Sequence, residues 1–567
     1  MKSKLIERIF PFLRWLPVSR KTLKADIIAG VTVAMLLIPQ AMAYAQLAGL
    51  PPHYGLYAAF LPVLAGALFG WCHQLQTGPV AMTSLLTAAV LAPFAVARSD
   101  HFIELAVILC LMTGVIRLML GVCRMSFIVD FLSHSVIVGF TNAAAIIIAL
   151  SQLGQFMGVH SDHSGSFLYD VWNVISNSDS ANTATLLFGV SALAVMLCLT
   201  KWLPRLPGIM IAVVITTAAS WAWTMFFPGG HEYQIVGVIP AGLPHLILPS
   251  LNLQTILELL PAAFLIVLIG FAEVAAITRS LALRTGQRLD FNQELIGQGM
   301  AGIVGGLTQS YPVSGSFSRS ALNYSAGGIT GFSSVVTAVA VLLLLLVFSP
   351  LLYHLPHSVL AAAIIASVTG LIDFGAMRRA WLAGRDDGII ALTTFAACIL
   401  FAPDLIRGLF FGAVLAIVLH IYRDMKPRVA ILARHEDGTL RDAERHSLTP
   451  DSNVLSIRFE RSLTFINASH FSEMIVAAVR EYPEARHLLI VGDSINELDA
   501  SGAEAVRSIH DLLREQGVSM DFSGLKWPVM EVLTRTGIVA RIGSNHFFRT
   551  ADAALKAIPT MAGNTRT

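Results

Sequence analysis

The sequence is dominated by a succession of apolar runs between about residue 25 and residue 420. The whole chain is 55% hydrophobic and only 13% charged, whereas soluble domains carry roughly 25% charged residues. Such a chain can remove its apolar surface from water only by placing much of it in lipid. The pattern therefore predicts an α-helical polytopic membrane protein. Fourteen apolar segments, some too short to span a bilayer alone, lie near 25–46, 54–70, 79–95, 101–121, 128–157, 183–203, 208–227, 254–283, 290–308, 316–326, 332–352, 357–372, 386–402 and 405–423.

Lysine and arginine are distributed unevenly between the predicted loops. Basic residues precede the first segment and follow segments four, six, eight, twelve and fourteen, whereas the loops at 159–182 and 228–252 contain none. Cytoplasmic loops are enriched in these residues, so we expect an even number of spans with both termini in the cytoplasm of a bacterial cell, across its inner membrane. The start of the chain lacks a long apolar region, which argues against a removable signal peptide. The net charge of +2 suggests no nucleic-acid partner.

Two corresponding segments are interrupted by glycine, proline and serine. GWCHQLQTGPVAMTS begins at Gly70 and GLTQSYPVSGSFSRS begins at Gly306, each after the second segment of a seven-segment half. Such interruptions are typical of broken helices at a transport site, where half-helix N-termini present unpaired N–H groups to an anion. Packing breaks that let helices approach closely are the alternative. Serine hydroxyls and a nearby cation would complete the predicted site: Ser314, Ser316, Ser318 and Arg319.

Acidic residues inside apolar segments are costly and indicate function by default. Glu273 lies deep in the eighth segment, where it could carry a coupling proton or pair with Arg319 and hold the geometry. Glu104 and Arg117 lie nearer the ends of the fourth segment, and we favour structural roles for them.

The stretch IPQAMAYAQLAGLPPHYGLYAAFLP (Ile38–Pro62) resembles a motif of the sulfate permease (SulP) family of anion transporters. GPVAMTS and SGSFSRS resemble the third and tenth segments of that family. The resemblance implies fourteen transmembrane segments in a 7+7 inverted repeat shared with uracil-type transporters, with a mobile core bundle, a gate bundle and a homodimeric assembly. It also implies an anion site formed by Gln40, Tyr44, Val80 with neighbouring amides, Ser318 and Arg319.

The resemblance places Glu273 at the acidic position that the family links to coupling by a proton or sodium. Some bacterial members carry a further carboxylate in segment one, where this chain has Gln40. We therefore expect a secondary active transporter of small inorganic anions, with sulfate–proton symport favoured and sodium-coupled bicarbonate or dicarboxylate transport as the alternative. A membrane-anchored signalling scaffold is the hypothesis from another class.

The part after about residue 453 alternates short strands with amphipathic helices and resembles a STAS domain, a small α/β fold on the cytoplasmic side. Ser501 resembles the phosphorylated serine of related anti-sigma-factor antagonists, so it is a candidate phosphosite, with a simple N-cap role as the alternative. We expect no enzyme activity, cofactor or metal site, since Walker and zinc-ligand spacings are not apparent. The predicted organisation is an N-terminus (1–24), a transport domain (25–425), a linker (426–452) and the STAS domain (453–560).

Overall fold

The computed structural model describes residues 10–16, 18–127, 133–159, 167–203, 207–226, 233–240, 242–250 and 252–564. Parts of the predicted N-terminus (1–9 and 17), the start of the fifth apolar segment (128–132) and stretches of the two loops without basic residues lie outside this range. The chain separates into two compact units, residues 1–414 and 415–567.

The chain up to Met425 is helical. Short 3-10 turns lie at Pro11–Trp15, Ser178–Ser180 and Ser349–Leu352. In chain order its α-helices are α1 (Arg20–Leu47), α2 (His53–Ala58), α3 (Leu61–Phe69), α4 (Ala81–Leu91), α5 (Asp100–Val122), α6 (His134–Ser151), α7 (Leu153–Met157), α8 (Phe167–Ser176), α9 (Thr183–Trp202), α10 (Gly208–Phe226), α11 (Leu253–Thr285), α12 (Phe291–Leu307), α13 (Phe317–Ser325), α14 (Phe332–Leu343), α15 (His357–Thr369), α16 (Phe374–Ala383), α17 (Arg385–Phe401) and α18 (Leu405–Met425). Helix α14 continues through a π turn, Leu344–Phe348, and a 3-10 turn, Ser349–Leu352.

Each predicted apolar segment contains helix in the structure, but the helices differ in length. Among the described residues, nine helical stretches are long and apolar enough to cross a membrane. The remaining predicted segments correspond to shorter helices, α2 with α3, α4, α12, α13 and α17. The number of fourteen spans therefore stays a prediction. Helix α8 lies in a stretch that we took for a loop.

The outer faces of the membrane helices are apolar, whereas polar side chains lie inside. Leu187 and Leu197 on α9 are half-exposed or more, while Gln76, Thr83 and Arg319 are completely buried. This inverted distribution suits a surrounding solvent of lipid, in which exposed leucine costs nothing and polar groups must be satisfied internally.

Helices α5 and α12 pack through glycine. A Cβ on Gly302 would lie 2.6 Å from the Gly114 Cα, and one on Gly114 would lie 2.4 Å from the Ile303 nitrogen. The two backbones are therefore in direct contact, as small residues allow in membrane helix pairs. This contact fixes α12 beside the elements that carry the interrupted segments.

The C-terminal unit contains an α/β sheet of six strands. Strand order is β4–β3–β5–β6–β7–β8, with β5 to β8 parallel and β3 antiparallel to both of its neighbours. The strands are β3 (Val429–Arg434), β4 (Leu440–Asp442), β5 (Val454–Phe459), β6 (His487–Val491), β7 (Ser519–Ser523) and β8 (Phe547–Phe548). The helices are α19 (Ala443–His446), α20 (Ala468–Glu481), α21 (Ala500–Glu515), α22 (Trp527–Arg535), α23 (Ile538–Ile542) and α24 (Ala551–Asn564), with a 3-10 turn at Ser544–His546.

The predicted linker, 426–452, contributes two strands to this sheet. β3 pairs with β5 through Ile431 and Ile457, and β4 covers its other edge. The short apolar run of β3 is followed directly by a charged turn, so its composition resembled a connection more than a strand. The α/β architecture itself agrees with the alternation read from the sequence.

Candidate functional site

The two interrupted segments meet as a short antiparallel ribbon. Strands β1 (Thr77–Gly78) and β2 (Ser314–Gly315) pair Thr77 with Gly315 and Gly78 with Ser314. Because the strands are antiparallel, the chain leaves the ribbon in opposite directions, into α4 on one side and α13 on the other. We call this arrangement the crossing. Helices that start from such a ribbon direct their N-terminal amides toward it.

Further hydrogen bonds join the two segments beside the ribbon. The Ser316 nitrogen donates to the Gln76 carbonyl at 2.9 Å, and the Gln76 nitrogen donates to the Ser320 hydroxyl at 2.9 Å. Both Gln76 and Ser320 are fully buried. The crossing is therefore held by backbone and side-chain contacts on both of its edges.

The first turns of the two half-helices differ in capping. Val80 is the N-cap of α4 and has an extended backbone. Its side chain cannot accept a hydrogen bond, so it does not cap the first N–H groups of α4. Ser316 is the N-cap of α13 and accepts from the Arg319 nitrogen at 3.5 Å, while its hydroxyl lies 3.4 Å from that of Ser318. Val80 and Ser316 are buried, whereas Ser318 is exposed. An anion would thus meet bare amides mainly at α4.

Arg319 is completely buried, and none of its three guanidinium nitrogens has a hydrogen-bond partner among the described residues. A Cβ on Gly78 would lie 3.3 Å from its Nη2, so the guanidinium reaches across to β1. Tyr44 and Tyr311 are the titratable side chains that interact with it electrostatically. An unpaired buried cation is unfavourable unless an anion joins it.

Helix α1 supplies two more predicted site residues from its buried face. Gln40 donates from Nε2 to the Ser367 hydroxyl on α15 at 3.1 Å, while its Oε1 has no partner among the described residues. Tyr44 lies one turn further on, is buried, and also interacts with Ser367. The sequence did not single out Ser367, because a lone serine in an apolar helix carries no pattern.

Glu273 does not pair with Arg319, so the predicted ion-pair alternative is wrong for this structure. Within the described residues Glu273 forms no salt bridge, and the cation that acts on it electrostatically is Arg117. Arg117 is 1% exposed and donates from Nη1 to the Val313 carbonyl at 2.7 Å, next to β2. A Cβ on Gly270, one turn before Glu273, would lie 2.5 Å from the Nη2 of Arg117.

Sequence reasoning therefore missed that Arg117 lies near the site. Its side chain reaches from α5 to the segment that forms β2, although its position in the sequence suggested a purely structural role near a helix end. Its Nε and Nη2 atoms, like the Arg319 nitrogens, are buried without a partner in the described part of the chain. Two buried arginines thus flank the ribbon, one near each strand.

In the α/β unit, Ser501 is exposed and is the second residue of α21. The N-cap is Asp499, whose carboxylate accepts from the Gly502 nitrogen at 2.8 Å, so the alternative that Ser501 is the N-cap is wrong. The phosphosite stays a prediction. Among the described residues, no group of three or more His, Cys, Asp or Glu side chains could hold a metal ion.

Comparison with known proteins identifies both parts of the chain. The sulfate permease family model matches residues 23–394, and the STAS domain model matches residues 447–554. Similar relatives include a probable sulfate transporter 4.2 of Arabidopsis thaliana, 32% identical over 96% of this chain and 82% of that protein. A probable sulfate transporter of Mycobacterium tuberculosis is 32% identical over 95% of this chain and 96% of its own length.

A solved structure shares the fold. Murine Solute Carrier 26 family member A9, described as an anion transporter in the inward-facing state, superposes with a TM-score of 0.89 at 23% identity. The match covers 99% of this chain and 95% of that chain. The chain is therefore a multi-pass helical membrane protein of the SLC26 fold with a STAS domain.

Proposed function

The chain belongs to the sulfate permease family, and on this premise we propose that it is a secondary active transporter of small inorganic anions, with sulfate taken up by proton symport. The family is one of transporters, which confirms that the chain is not an enzyme. The names of the relatives above support sulfate as the anion. The observation that carries the proposal is the buried Arg319 guanidinium at the crossing, which has no hydrogen-bond partner among the residues that the structure describes.

In the proposed mechanism the anion binds at the crossing between the first turns of α4 and α13. The α4 amides beyond Val80, the Ser316 and Ser318 hydroxyls and the Arg319 guanidinium would surround its oxygens. Gln40 and Tyr44 would close the site from α1, since the Gln40 Oε1 and the Tyr44 side chain are buried there. Movement of the bundle that carries the crossing would then expose the anion to either side in turn.

Proton coupling would use Glu273, because its carboxylate forms no salt bridge with any described residue and interacts electrostatically with Arg117. A proton arriving on Glu273 would remove the electrostatic attraction between its carboxylate and Arg117. Sodium coupling remains the alternative, since a carboxylate ligand suits sodium as well as a proton.

The remaining parts of the proposal concern organisation. We propose fourteen spans in a 7+7 inverted repeat, both termini in the cytoplasm of a bacterial cell and a homodimer. The pairing of β1 with β2 supports the repeat, because the two interrupted segments occupy corresponding positions and meet each other. The STAS domain would regulate transport or assembly rather than catalyse a reaction.

The test is counterflow by the purified full chain in proteoliposomes loaded with sulfate, bicarbonate or succinate, with and without sodium and at two external pH values. Exchange of labelled sulfate that is stimulated by an inward proton gradient and unaffected by sodium is expected. Sodium-dependent bicarbonate exchange without sulfate exchange would replace the leading proposal by its alternative. Absence of exchange for every anion would contradict the transporter proposal.

A further inference from the structure

A cavity of about 290 Å³ is lined by residues other than those of the crossing. Its wall includes Arg98, Gln155, Thr185, Gln234, His357 and Ser358. None of the described residues that line it is acidic, and Arg98 is an exposed cation at its wall. Its volume is sufficient for a small oxyanion with several waters, each of which takes roughly 30 Å³.

The cavity contains an unsatisfied hydroxyl at the start of a helix. Ser358 is the second residue of α15 and is 1% exposed, and its Oγ has no hydrogen-bond partner among the described residues. Gln155 also lines the cavity and has a buried Oε1 without a partner in the same part of the chain. A helix N-terminus with an unpaired hydroxyl and a nearby arginine is suited to a negative ligand.

The position of His357 is fixed, so it shapes the wall rather than binding through a free nitrogen. Gln46 contacts its Nδ1 at 2.5 Å, and its Nε2 lies 3.2 Å from the Ile235 carbonyl. Arg98 and His357 both line the cavity, and Arg98 acts on His357 electrostatically.

The cavity lies at the end of α1 opposite to Arg20. The Arg98 nitrogen donates to the Gly49 carbonyl at 2.9 Å, immediately beyond the last turn of α1, and Gln46 contacts His357 in that turn. The same pair of helices also forms the Gln40–Ser367 contact at the crossing. Ser358 and Ser367 are separated along α15 by roughly 13 Å at about 1.5 Å per residue.

We propose that this cavity is a second anion-binding site, in which a small oxyanion such as sulfate is held by Arg98, Ser358 and the N-terminus of α15 before it reaches the crossing. This second site rests on the proposed function, because the side of the membrane that the cavity faces depends on the proposed topology. With the N-terminus in the cytoplasm, the cavity faces the outside. The site raises the local anion concentration at the mouth and contributes to the apparent affinity for external anion.

The kinetic test compares two arginines with the same backbone conformation. Arg98 and Arg124 are both exposed and both have positive φ, 66° and 58°. Asparagine tolerates that conformation, so Arg98→Asn and Arg124→Asn each remove one charge without added backbone strain. We expect Arg98→Asn and Ser358→Ala to raise the KM for external sulfate roughly two- to tenfold, with maximal rate per surface copy unchanged. Arg124→Asn should keep the wild-type KM, and equal KM values for all variants would overturn the proposal.

A second measurement does not require transport. In Ser358→Cys, a membrane-impermeant cationic methanethiosulfonate added outside should react, and inorganic sulfate should slow the reaction both in the wild-type background and with Arg319→Ala. Protection that disappears with Arg319→Ala would mean that sulfate acts only through the crossing. A Ser358→Cys thiol that does not react with the external reagent would mean that the cavity does not face the outside of the membrane. Either result overturns the second site. Failure of the proposed function is recognised separately, as absent uptake by the unmodified chain.

Discussion

At the scale of single residues, two buried arginines explain why the site is suited to an anion. Arg319 lies beside Gly78 of β1, and Arg117 contacts the Val313 carbonyl next to β2. The positive ends of two helix dipoles add to the same field. Burial of each guanidinium in a region of low dielectric is costly, so a bound anion would offset part of that cost.

Removal of the Arg319 guanidinium should weaken anion binding strongly. A charge-assisted hydrogen bond contributes about 1.5–3 kcal/mol, so Arg319→Ala should raise the sulfate KM by about ten- to a hundredfold in counterflow. Arg319→Lys should recover part of the loss, since it restores the charge without the planar donor array. Arg284→Ala removes the same side chain from an exposed position and serves as the control. Wild-type affinity for sulfate in Arg319→Ala would mean that the positive field at the site comes from the backbone dipoles alone.

The carboxylate of Glu273 should carry the pH dependence of uptake. Glu273→Gln keeps the size of the side chain but cannot release a proton, so uptake should become independent of external pH while sulfate binding persists. Glu258→Gln changes an exposed carboxylate on the same helix and should leave the profile as it is. Initial uptake rates between pH 5 and 8 provide the measurement, and an unchanged profile in Glu273→Gln would remove this residue from coupling.

A buried aspartate in the α/β unit predicts a second pH effect, on stability. The Asp521 Oδ1 lies 2.7 Å from the His546 Nδ1, and His487 contacts its other oxygen at 3.4 Å. Burial opposes ionisation of Asp521, but the hydrogen bonds from the two histidines outweigh it and lower its pKa. The hydrogen bond to Asp521 raises the pKa of His546.

The sign of the stability effect follows from these two directions. The contribution of His546 is complete below its ordinary pKa of about 6.5 and is lost as pH rises through its higher folded-state pKa. The contribution of Asp521 is complete above its ordinary pKa of about 3.9 and is lost as pH falls through its lower folded-state pKa. Asp521→Asn in a fragment of residues 426–567 should lower the free energy of unfolding by about 2 kcal/mol near pH 6 and by less at pH 8. Asp552→Asn, at an exposed carboxylate, is the control, and an equal loss at both pH values would contradict the charge pair.

At the scale of elements, the ribbon with its two half-helices is the unit that would form the proposed site. Glycine is needed in it for two different reasons. Gly78 has a φ of 148°, and a Cβ on Gly315 would meet Leu75 and Val274 at 3.0 Å. The first position requires an unusual backbone and the second requires close approach.

Addition of one methyl group at the ribbon should therefore impair transport. Gly78→Ala would strain the backbone and place a Cβ 3.3 Å from the Arg319 Nη2. Gly327→Ala is a matched control, because Gly327 also has positive φ, 92°, but a Cβ there meets nothing within 4 Å. We expect Gly78→Ala to reduce the maximal sulfate uptake rate by about tenfold, corresponding to the 1–3 kcal/mol typical of such strain, at unchanged surface amount. Equal rates for the two alanine variants would show that the ribbon tolerates the change.

The elements were predictable where their pattern is local. The apolar runs and the glycine-, proline- and serine-rich breaks located the helices and the crossing, and the alternation after residue 453 indicated the α/β fold. The contact of Arg117 with the chain before β2 and that of Ser367 with Gln40 were not predictable, since each depends on how helices distant in sequence pack. Strand β3 was missed because charged residues adjoin it on both sides, so its composition resembled a linker.

At the scale of the whole molecule, the chain combines a helical membrane unit with an α/β unit, and all predicted anion-site residues lie in the first. The site residues run from Gln40 to Arg319, and their contacts extend to Ser367. The α/β unit has its own core, in which Leu455, Leu488 and Phe522 from neighbouring strands are buried together. The proposed anion site therefore lies within the chain that precedes Met425.

Truncation after Met425 should separate the two roles. We expect the truncated protein to retain the wild-type KM for sulfate while its maximal uptake or its surface amount falls, because we propose that the removed part regulates transport or assembly. Surface labelling and uptake on the same cells provide the measurement. A large rise in KM would contradict a self-contained site. Normal uptake with loss of a downstream response would favour the signalling scaffold instead.

The most direct measurement is a structure of the full chain in lipid nanodiscs with selenate, a heavier analogue of sulfate that can be located by its scattering. The account predicts one selenate at the crossing, with oxygens within hydrogen-bond distance of the first amides of α4 and of the Arg319 guanidinium. Selenate bound elsewhere in the membrane unit, with the Arg319 guanidinium still unpartnered in a protein that transports it, would contradict the account.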